Sequence, residues 1–292
     1  MRVALLHNEK ASGSAASDGV VGALTGAGHL VVARTTKIDA VDELLAAEPE
    51  LLVVAGGDGT VRRAAVRASG RGVPLAVIPL GTANNIAASL GFEGGAEEIA
   101  RTWERARRTA LDMGLAHGPW GERCFLESAG AGLVERGISA MDAEAPHPEE
   151  GDPAEMLSKA ARRFGEVLEG LRPRPCRIAL DGEERSADVL LIEVLNIRSI
   201  GPRLMLARWS QPSDGWFTVV VAEDEHREEL ARYLAARERD AAAEIRLPTR
   251  HARVVSLSGW DSLHVDDRVL PVANERVLVT LQRAAVDVLS LR

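Results

Sequence analysis

The sequence predicts an α/β plus β protein, an N-terminal α/β domain followed by a mostly antiparallel β-sandwich domain, on three observations. Residues 1–110 alternate short apolar strands with helical segments, the pattern of βαβ units and a parallel sheet. After residue 110 the rhythm becomes one of strands, punctuated by turn signals such as Asp181-Gly182 and Asp214-Gly215. The length, 292 residues, is enough for two domains that each bury a core.

In the first part, Arg2–His7 reads as a strand, Ser17–Ala27 as a helix closed by Gly28, and Leu30–Thr35 as the second strand. Asp39–Ala47 is a short helix. Leu51–Ala55 is a compact apolar strand running into Gly56-Gly57-Asp58-Gly59-Thr60, after which Val61–Ala68 is helical. Leu75–Ile78 is the next strand, and Pro79-Leu80-Gly81-Thr82 turns it into a helix over Ala83–Leu90 that ends at Gly91. Two successive strand ends thus carry Gly-rich turns into helices, a Rossmann-like arrangement, and open α/β sheets bind ligands at the carboxyl ends of their strands.

In the second part, strands are expected at Phe125–Ser128, Arg177–Asp181, Val189–Ile197, Thr218–Ala222, Val254–Ser258, Leu263–Val265 and Arg276–Gln282. The acidic segment Asp142–Glu155, with three prolines, reads as an exposed loop. Met156–Leu171 carries a helical stripe of Leu157, Ala160, Ala161, Phe164, Val167, Leu168 and Leu171. Packing on its own domain is the ordinary role of such a stripe, and a lid or membrane-facing helix is the functional one. Glu228–Ala243 is a second helix with no role beyond structure.

Composition narrows the partners. With 35 Lys and Arg against 43 Asp and Glu, the formal charge is −8, the opposite balance from a duplex-DNA binder, so nucleic acid is not expected. Cys124 and Cys176 lie far apart with no zinc-ligand spacing, and buried free thiols in a reducing compartment are expected. No apolar stretch has the length of a signal-peptide core or a membrane span, which points to the cytoplasm with any membrane contact peripheral.

Chemistry concentrates in the two Gly-rich turns. Glycines without Cβ let backbone N–H groups approach a phosphate, and the following helix aims its positive end at the same place. Asp58 adds a carboxylate able to hold Mg²⁺ or a polar hydroxyl. Gly-Asp-Gly is also ordinary turn chemistry, yet glycines this dense between a buried strand and a helix favour phosphate binding. Arg62 and Arg63 fall in the first helical turn, where cations oppose the macrodipole. Contact of one of them with nucleotide phosphate is one reading and a solvated surface arginine is the other. The second turn offers backbone donors, the Thr82 hydroxyl and the carboxamides of Asn84 and Asn85. No Walker A, GxGxxG, GxSxG or HExxH pattern occurs.

With GGDGT at 56–60 followed by PLGTxN at 79–84, the chain resembles the diacylglycerol kinase catalytic domain family, which includes bacterial lipid kinases and sphingosine kinases, over nearly its whole length. Asn8 and Gly13 are similar to that family's N-P-x-x-G turn, with Glu9 where Pro is usual. Thr35 or Thr36 stands where the family places a nucleotide-contacting Thr. Asp112, in Leu-Asp-Met-Gly, resembles an Asp that lies close to the nucleotide and its Mg²⁺. Residues 211–218 look like the D-G-x-L segment that holds a structural Mg²⁺, which implies the Asp214 carboxylate with backbone carbonyls near Gln211 and Trp216 as ligands. Family members end a late strand with Asp-Gly-Glu. Here Asp266 matches the Asp, Asp267 replaces Gly and Arg268 replaces Glu, and Asn85 replaces an Asp common after the PLGTxN asparagine. Asp266 is the implied general base with Asp267 in reserve, and a plain Asp-Asp turn between strands is the competing reading.

The resemblance implies an ATP-dependent lipid kinase that passes the γ-phosphoryl group to a hydroxyl of a diacylglycerol- or sphingosine-like lipid. ATP as substrate and Mg²⁺ as cofactor follow from it. Gly56, Gly57, Gly59, Thr60, Gly81, Thr82 and Asn84 would serve the phosphates, with Asn8, Thr35, Thr36 and Arg62 at the nucleotide. Asp58 and Asp112 would lie near the catalytic Mg²⁺ and Asp214 at a structural metal away from the chemistry. The implied division is a nucleotide domain over 1–110, an acceptor and metal domain over 111–282, and a return of about 283–292 to the first. A lipid acceptor implies peripheral contact with the inner face of a membrane, and a homodimer is left open. The GGDG element alone is shared with NAD kinases and phosphofructokinases. The alternatives are therefore a kinase of the NAD-kinase type and a non-catalytic nucleotide- or lipid-binding protein.

Overall fold

Four short apolar runs build the parallel sheet of the first unit: β1 (Arg2–His7), β2 (Leu30–Thr35), β3 (Leu51–Gly56) and β4 (Leu75–Pro79). They pair in the order β4-β3-β1-β2, all parallel. All six residues of β3 are buried, as expected of a parallel strand covered on both faces. The connecting helices are α1 (Ser17–Gly26), α2 (Val41–Ala46), α3 (Asp58–Ala68), α4 (Asn85–Leu90) and α5 (Ala96–Thr102). Because β1 has β2 on one side and β3 on the other, the strand order reverses there, and the carboxyl ends of β1 and β3 flank the crevice where such sheets bind ligands.

The computed structural model describes residues 1–11, 17–144, 152–240 and 242–292, so Gly13 and residues 145–151 of the acidic segment lie outside the described residues. The chain divides into two units, Met1–Leu111 with Arg283–Arg292, and Asp112–Gln282. Within the first, the end of the chain is tied in by a parallel pairing of Val288 with Leu75 and by the Leu291 N–H, which donates to the Leu90 carbonyl at 2.9 Å. The Ser69 hydroxyl adds a bond to the Ala285 carbonyl at 2.6 Å.

Helix boundaries in the first unit differ from expectation at two places that bear on the site. The helix expected over 39–47 is a 3-10 turn, Ile38–Ala40, followed by α2. The helix expected from Ala83 starts at Asn85, because Asn84 has φ 52° and ψ 44°, a left-handed conformation that cannot continue an α-helix.

The second unit contains β6 (Gly121–Phe125), β7 (Ser128–Gly132), β8 (Arg174–Leu180), β9 (Glu183–Leu195), β10 (Ser199–Ile200), β11 (Leu204–Met205), β12 (Phe217–Glu223), β13 (Thr249–Ala252), β14 (Val254–Ser258), β15 (Ser262–Val265) and β16 (Arg268–Pro271). Strands β5 (Arg107–Gly118) and β17 (Val277–Ser290) carry residues of both units. The path β16-β15-β7-β9-β8-β14-β17 is antiparallel throughout, with β12 added to β9 and β13 to β12. Asp181 and Gly182, at φ 49° and 95°, form the two-residue turn between β8 and β9.

On β12, Phe217, Val219 and Val221 face one apolar core, while Val220 and Ala222 face another shared with helices α6 (Leu133–Glu144), α7 (Pro153–Gly170) and α8 (Arg227–Arg237). The Asp152 carboxylate accepts the Ala154 N–H at 3.2 Å, with Pro153 at the first helical position, and together they start α7. Its stripe is core: Phe164 is fully buried, and a Cβ on Gly137 of α6 would come within 2.4 Å of the Phe164 ring. The lid or membrane-facing role is thereby replaced by packing within the unit.

The strand expected at Phe125–Ser128 is instead the break between β6 and β7, since the amides there donate to a side chain and not to a ladder. Helix α8 stops at Arg237, short of the expected Ala243. Cys176 is buried and Cys124 half-buried, and both are free thiols. Among the described residues no helix is long and apolar enough to cross a membrane.

Candidate functional site

The two Gly-rich turns sit side by side at the carboxyl ends of β3 and β4. The Leu80 N–H donates to the Gly56 carbonyl at 3.1 Å, and a Cβ on Gly57 would lie 3.3 Å from the Gly81 Cα. Gly56 is also required, because its Cβ would come within 2.9 Å of the Thr60 Cβ. Helix α3 begins at Asp58, so Asp58, Gly59 and Thr60 form its first turn. Gly57 is its N-cap, with no side chain capping it, which leaves the amide end of this eleven-residue helix open to an anion.

The two Asp58 carboxylate oxygens accept the Asn85 N–H at 3.0 Å and the Ile86 N–H at 2.9 Å, so the first turn caps the helix that leaves the second. Asn84 closes its own turn: its Oδ1 accepts the Gly81 N–H at 2.9 Å and its Nδ2 donates to the Gly81 carbonyl. Thr82 lies in the bend between them.

Asn8, directly after β1, donates from Nδ2 to the Thr60 hydroxyl at 2.9 Å and so joins the β1 end to the start of α3. Beside it opens a cavity of about 520 Å³ lined by Asn8, Lys10, Thr36, Lys37, Thr60 and Arg63, among others. Of the two arginines singled out by sequence, Arg63 lines this cavity and Arg62 does not. Arg63 Nε also donates to the Gly59 carbonyl at 3.2 Å. Of the two threonines, Thr36 lines the cavity, while the Thr35 hydroxyl accepts the Lys37 N–H at 3.2 Å. The same lining carries the carboxylates of Glu9, Asp39 and Glu43, so its three cations are balanced in charge, and two hydroxyls and a carboxamide complete a polar space of nucleotide size.

In the second unit, Asp266 and Asp267 are the two-residue connection between β15 and β16, so the Asp-Asp turn is the local structure. Asp266 is nonetheless 8% exposed and far from a simple turn residue. Its Oδ1 accepts the Glu127 and Ser128 N–H groups at 2.9 and 3.2 Å, and its Oδ2 the Leu126 N–H at 3.3 Å. Asp267 is exposed.

The segment held by Asp266 leads to the other predicted carboxylates. Buried Asn196 donates from Nδ2 to the carbonyls of Leu126 and Asp112, each at 3.0 Å. The Asp112 N–H donates to the Pro212 carbonyl at 2.7 Å, and its Oδ2 accepts the Gly215 N–H at 2.8 Å. Asp112, on β5, is thus bonded to both sides of the loop that carries Asp214, although the sequence assigns the two to separate metals.

Asp214 Oδ1 accepts the Trp216 N–H at 2.9 Å, and Arg253 braces the turn, with Nε on the Gly215 carbonyl at 3.1 Å and its guanidinium 3.9 Å from the Trp216 ring centre. Partial burial pushes the Asp214 carboxyl above its ordinary range, and the Asp112 charge adds to this against the Trp216 amide and His251. No group of three or more His, Cys, Asp and Glu occurs among the described residues. One or two carboxylates completed by carbonyl or substrate oxygens is the mode Mg²⁺ commonly uses, and Asp112 and Asp214, one bonded to this loop and one on it, are carboxylates of that kind.

A parallel α/β unit with two phosphate-type turns, joined to an antiparallel sandwich bearing buried carboxylates, defines a two-part class of protein, and each part matches a separate family model. The diacylglycerol kinase catalytic domain matches residues 2–116, and the YegS C-terminal NAD kinase beta sandwich-like domain matches residues 137–273. The chain is 31% identical over 193 residues to a diacylglycerol kinase of Mycobacterium tuberculosis, covering 63% of this chain and 58% of that relative. It is 30% identical over 228 residues to a "Probable lipid kinase YegS-like" protein of Pseudomonas aeruginosa, covering 75% of this chain and 72% of the relative. A crystal structure of a diacylglycerol kinase from Bacillus anthracis str. Sterne shares the fold, with a TM-score of 0.71 at 18% identity over 99% of this chain and 96% of that one. The chain belongs to the diacylglycerol kinase catalytic domain family.

Proposed function

We propose that the protein is an ATP-dependent lipid kinase that transfers the γ-phosphoryl group to a hydroxyl of a diacylglycerol- or sphingosine-like lipid. The observation that carries this most directly is the contact of Gly57 with Gly81 beside the cavity lined by Asn8, Thr36, Thr60 and Arg63. The two Gly-rich turns touch at the carboxyl ends of β3 and β4, where a sheet of this topology takes its ligand, and Thr60, directly after the first turn, lines the cavity. Polyphosphate would meet the amide end of α3 and the Gly81–Asn84 turn, and Arg63, Lys10 and Lys37 would neutralise it. Asp58 keeps the two turns in register through the α4 amides.

On the acceptor side, Asp266 is the residue assigned to the lipid hydroxyl. Its carboxylate charge is already met by three amides. It therefore suits orienting the hydroxyl and receiving its proton late in transfer, and a loose phosphoryl transition state asks mainly for positioning. Asp112 and Asp214 are the residues proposed to hold Mg²⁺, whose positive charge would offset theirs.

Lipid-dependent turnover of ATP tests this. ADP release that requires both Mg²⁺ and a diacylglycerol dispersion is expected, and it should be lost in Asp266→Asn. ATP binding with no turnover on any extracted lipid, or phosphorylation of NAD instead, would replace the proposal with one of its alternatives.

A further inference from the structure

Three strands bring two ionisable side chains together beneath the Asp266 turn. Across β15, β7 and β9 the register aligns His264 with Gly130 and Gly130 with Glu193. Side chains two strands apart are separated by about 10 Å of backbone and normally have a third side chain between them. Here the middle position is glycine, and a Cβ there would lie 2.4 Å from Glu193 Oε1. Across that gap His264 Nε2 meets both Glu193 carboxylate oxygens, at 2.9 and 3.0 Å. Glu193 is 0% exposed and His264 1%.

The opposite ring nitrogen, Nδ1, lies 3.0 Å from the backbone carbonyl of Asp266. A carbonyl oxygen only accepts, so Nδ1 carries a proton, and the Nε2 contact requires a second proton between the ring and the carboxylate. Burial alone would lower the His264 pKa, but the charge and hydrogen bond of Glu193, with the Asp266 carbonyl, carry it above its ordinary value. A buried ion pair is seldom worth more to stability than apolar residues of the same shape, so its presence calls for another role.

Asp266 supplies one. Its φ of 50° is that of a two-residue hairpin turn, as at Asp181, and what sets Asp266 apart is the number of groups that hold it. Its N–H donates to the Ser128 carbonyl at 2.8 Å, its carbonyl faces His264, and its carboxylate takes the three amides of residues 126–128.

We propose that Glu193 and His264 are a positioning pair for Asp266: Glu193 holds the imidazole across Gly130, and the ring Nδ1–H fixes the Asp266 carbonyl so that its carboxylate keeps one orientation. The pair rests on the lipid-kinase proposal only for the reaction that Asp266 serves.

Glu193→Gln keeps the shape and removes the charge. It is expected to lower kcat for lipid phosphorylation by about tenfold to a hundredfold with KM for ATP unchanged. The amides of Leu126, Glu127 and Ser128 should exchange with solvent about tenfold faster, while those of the first unit keep their rates. Val219→Ala, a core truncation on β12, controls for lost stability and should produce neither effect. His264→Asn, which keeps a donor near the Nδ1 position, should retain protection at 126–128, whereas His264→Leu should lose it; a merely structural site would not rank the two this way. This last comparison decides the matter if Glu193→Gln does not fold. Wild-type kcat or unchanged exchange at 126–128 in Glu193→Gln, or both effects in Val219→Ala, would overturn the proposal. If the unaltered protein phosphorylates no lipid, the lipid-kinase proposal fails, and exchange at 126–128 alone decides whether the pair holds Asp266.

Discussion

Gly81 and Gly57 pass so close that a Cβ on Gly81 would lie 2.7 Å from the Gly57 Cα. Neither has a positive φ, so what each position requires is the absence of a side chain and not a glycine-only conformation. Gly81→Ala should therefore force the turns apart, at about 1–3 kcal/mol of stability, with a loss of ATP affinity of about tenfold or more. Denaturant unfolding and calorimetric titration with ATP check both. Gly22 in α1, whose Cβ would meet nothing within 4 Å, is the contrast: Gly22→Ala should stabilise by about 0.5–1 kcal/mol and leave ATP binding unchanged.

Removing the Asp58 carboxylate leaves the amides at the start of α4 without their cap. Asp58→Ala should cost about 1–2 kcal/mol, within the range of capping residues. It should also reduce ATP affinity, because the second turn loses its tie to the first. Unfolding at the wild-type midpoint would show that the cap contributes nothing.

The His264–Glu193 pair gives stability a dependence on pH. His264 has a raised pKa in the folded state, so the folded protein keeps a proton that the unfolded chain releases near its ordinary value of 6.5. The stabilisation is fully present below that value and is lost as pH rises through the folded one. Melting temperature should accordingly decline above about pH 6.5, and His264→Asn should flatten that decline. An equally steep slope in the variant would assign it to other groups.

Asp112 and Asp214 predict a metal effect that does not depend on turnover. Millimolar Mg²⁺ should raise the melting temperature of the wild-type protein by mass action, and Asp214→Asn should abolish the rise. The same rise in Asp214→Asn would place the ion elsewhere.

The first unit was legible in the sequence because its signals are local: each Gly-rich turn follows its strand directly, and β1 and β2 have the bounds their short apolar runs predict. The break at residues 126–127 was not legible, because it is made by a carboxylate 139 to 140 positions away. Helix α7 shows a related limit, since a stripe marks an apolar face without naming what covers it. The His264–Glu193 pair needs a register across three strands, which no spacing along the chain encodes. Its one sequence signal is Glu193 itself, a single charge inside the apolar run 190–195, where charged residues are rarely buried without a partner.

The most direct test of the central claim is the fate of the γ-phosphate. ATP labelled at that position, incubated with the protein, Mg²⁺ and diacylglycerol, should yield labelled phosphatidic acid in wild type and none in Asp266→Asn, with ATP binding retained in the variant. Label that stays in ATP or inorganic phosphate whatever lipid is supplied, or equal lipid labelling in Asp266→Asn, would contradict the account.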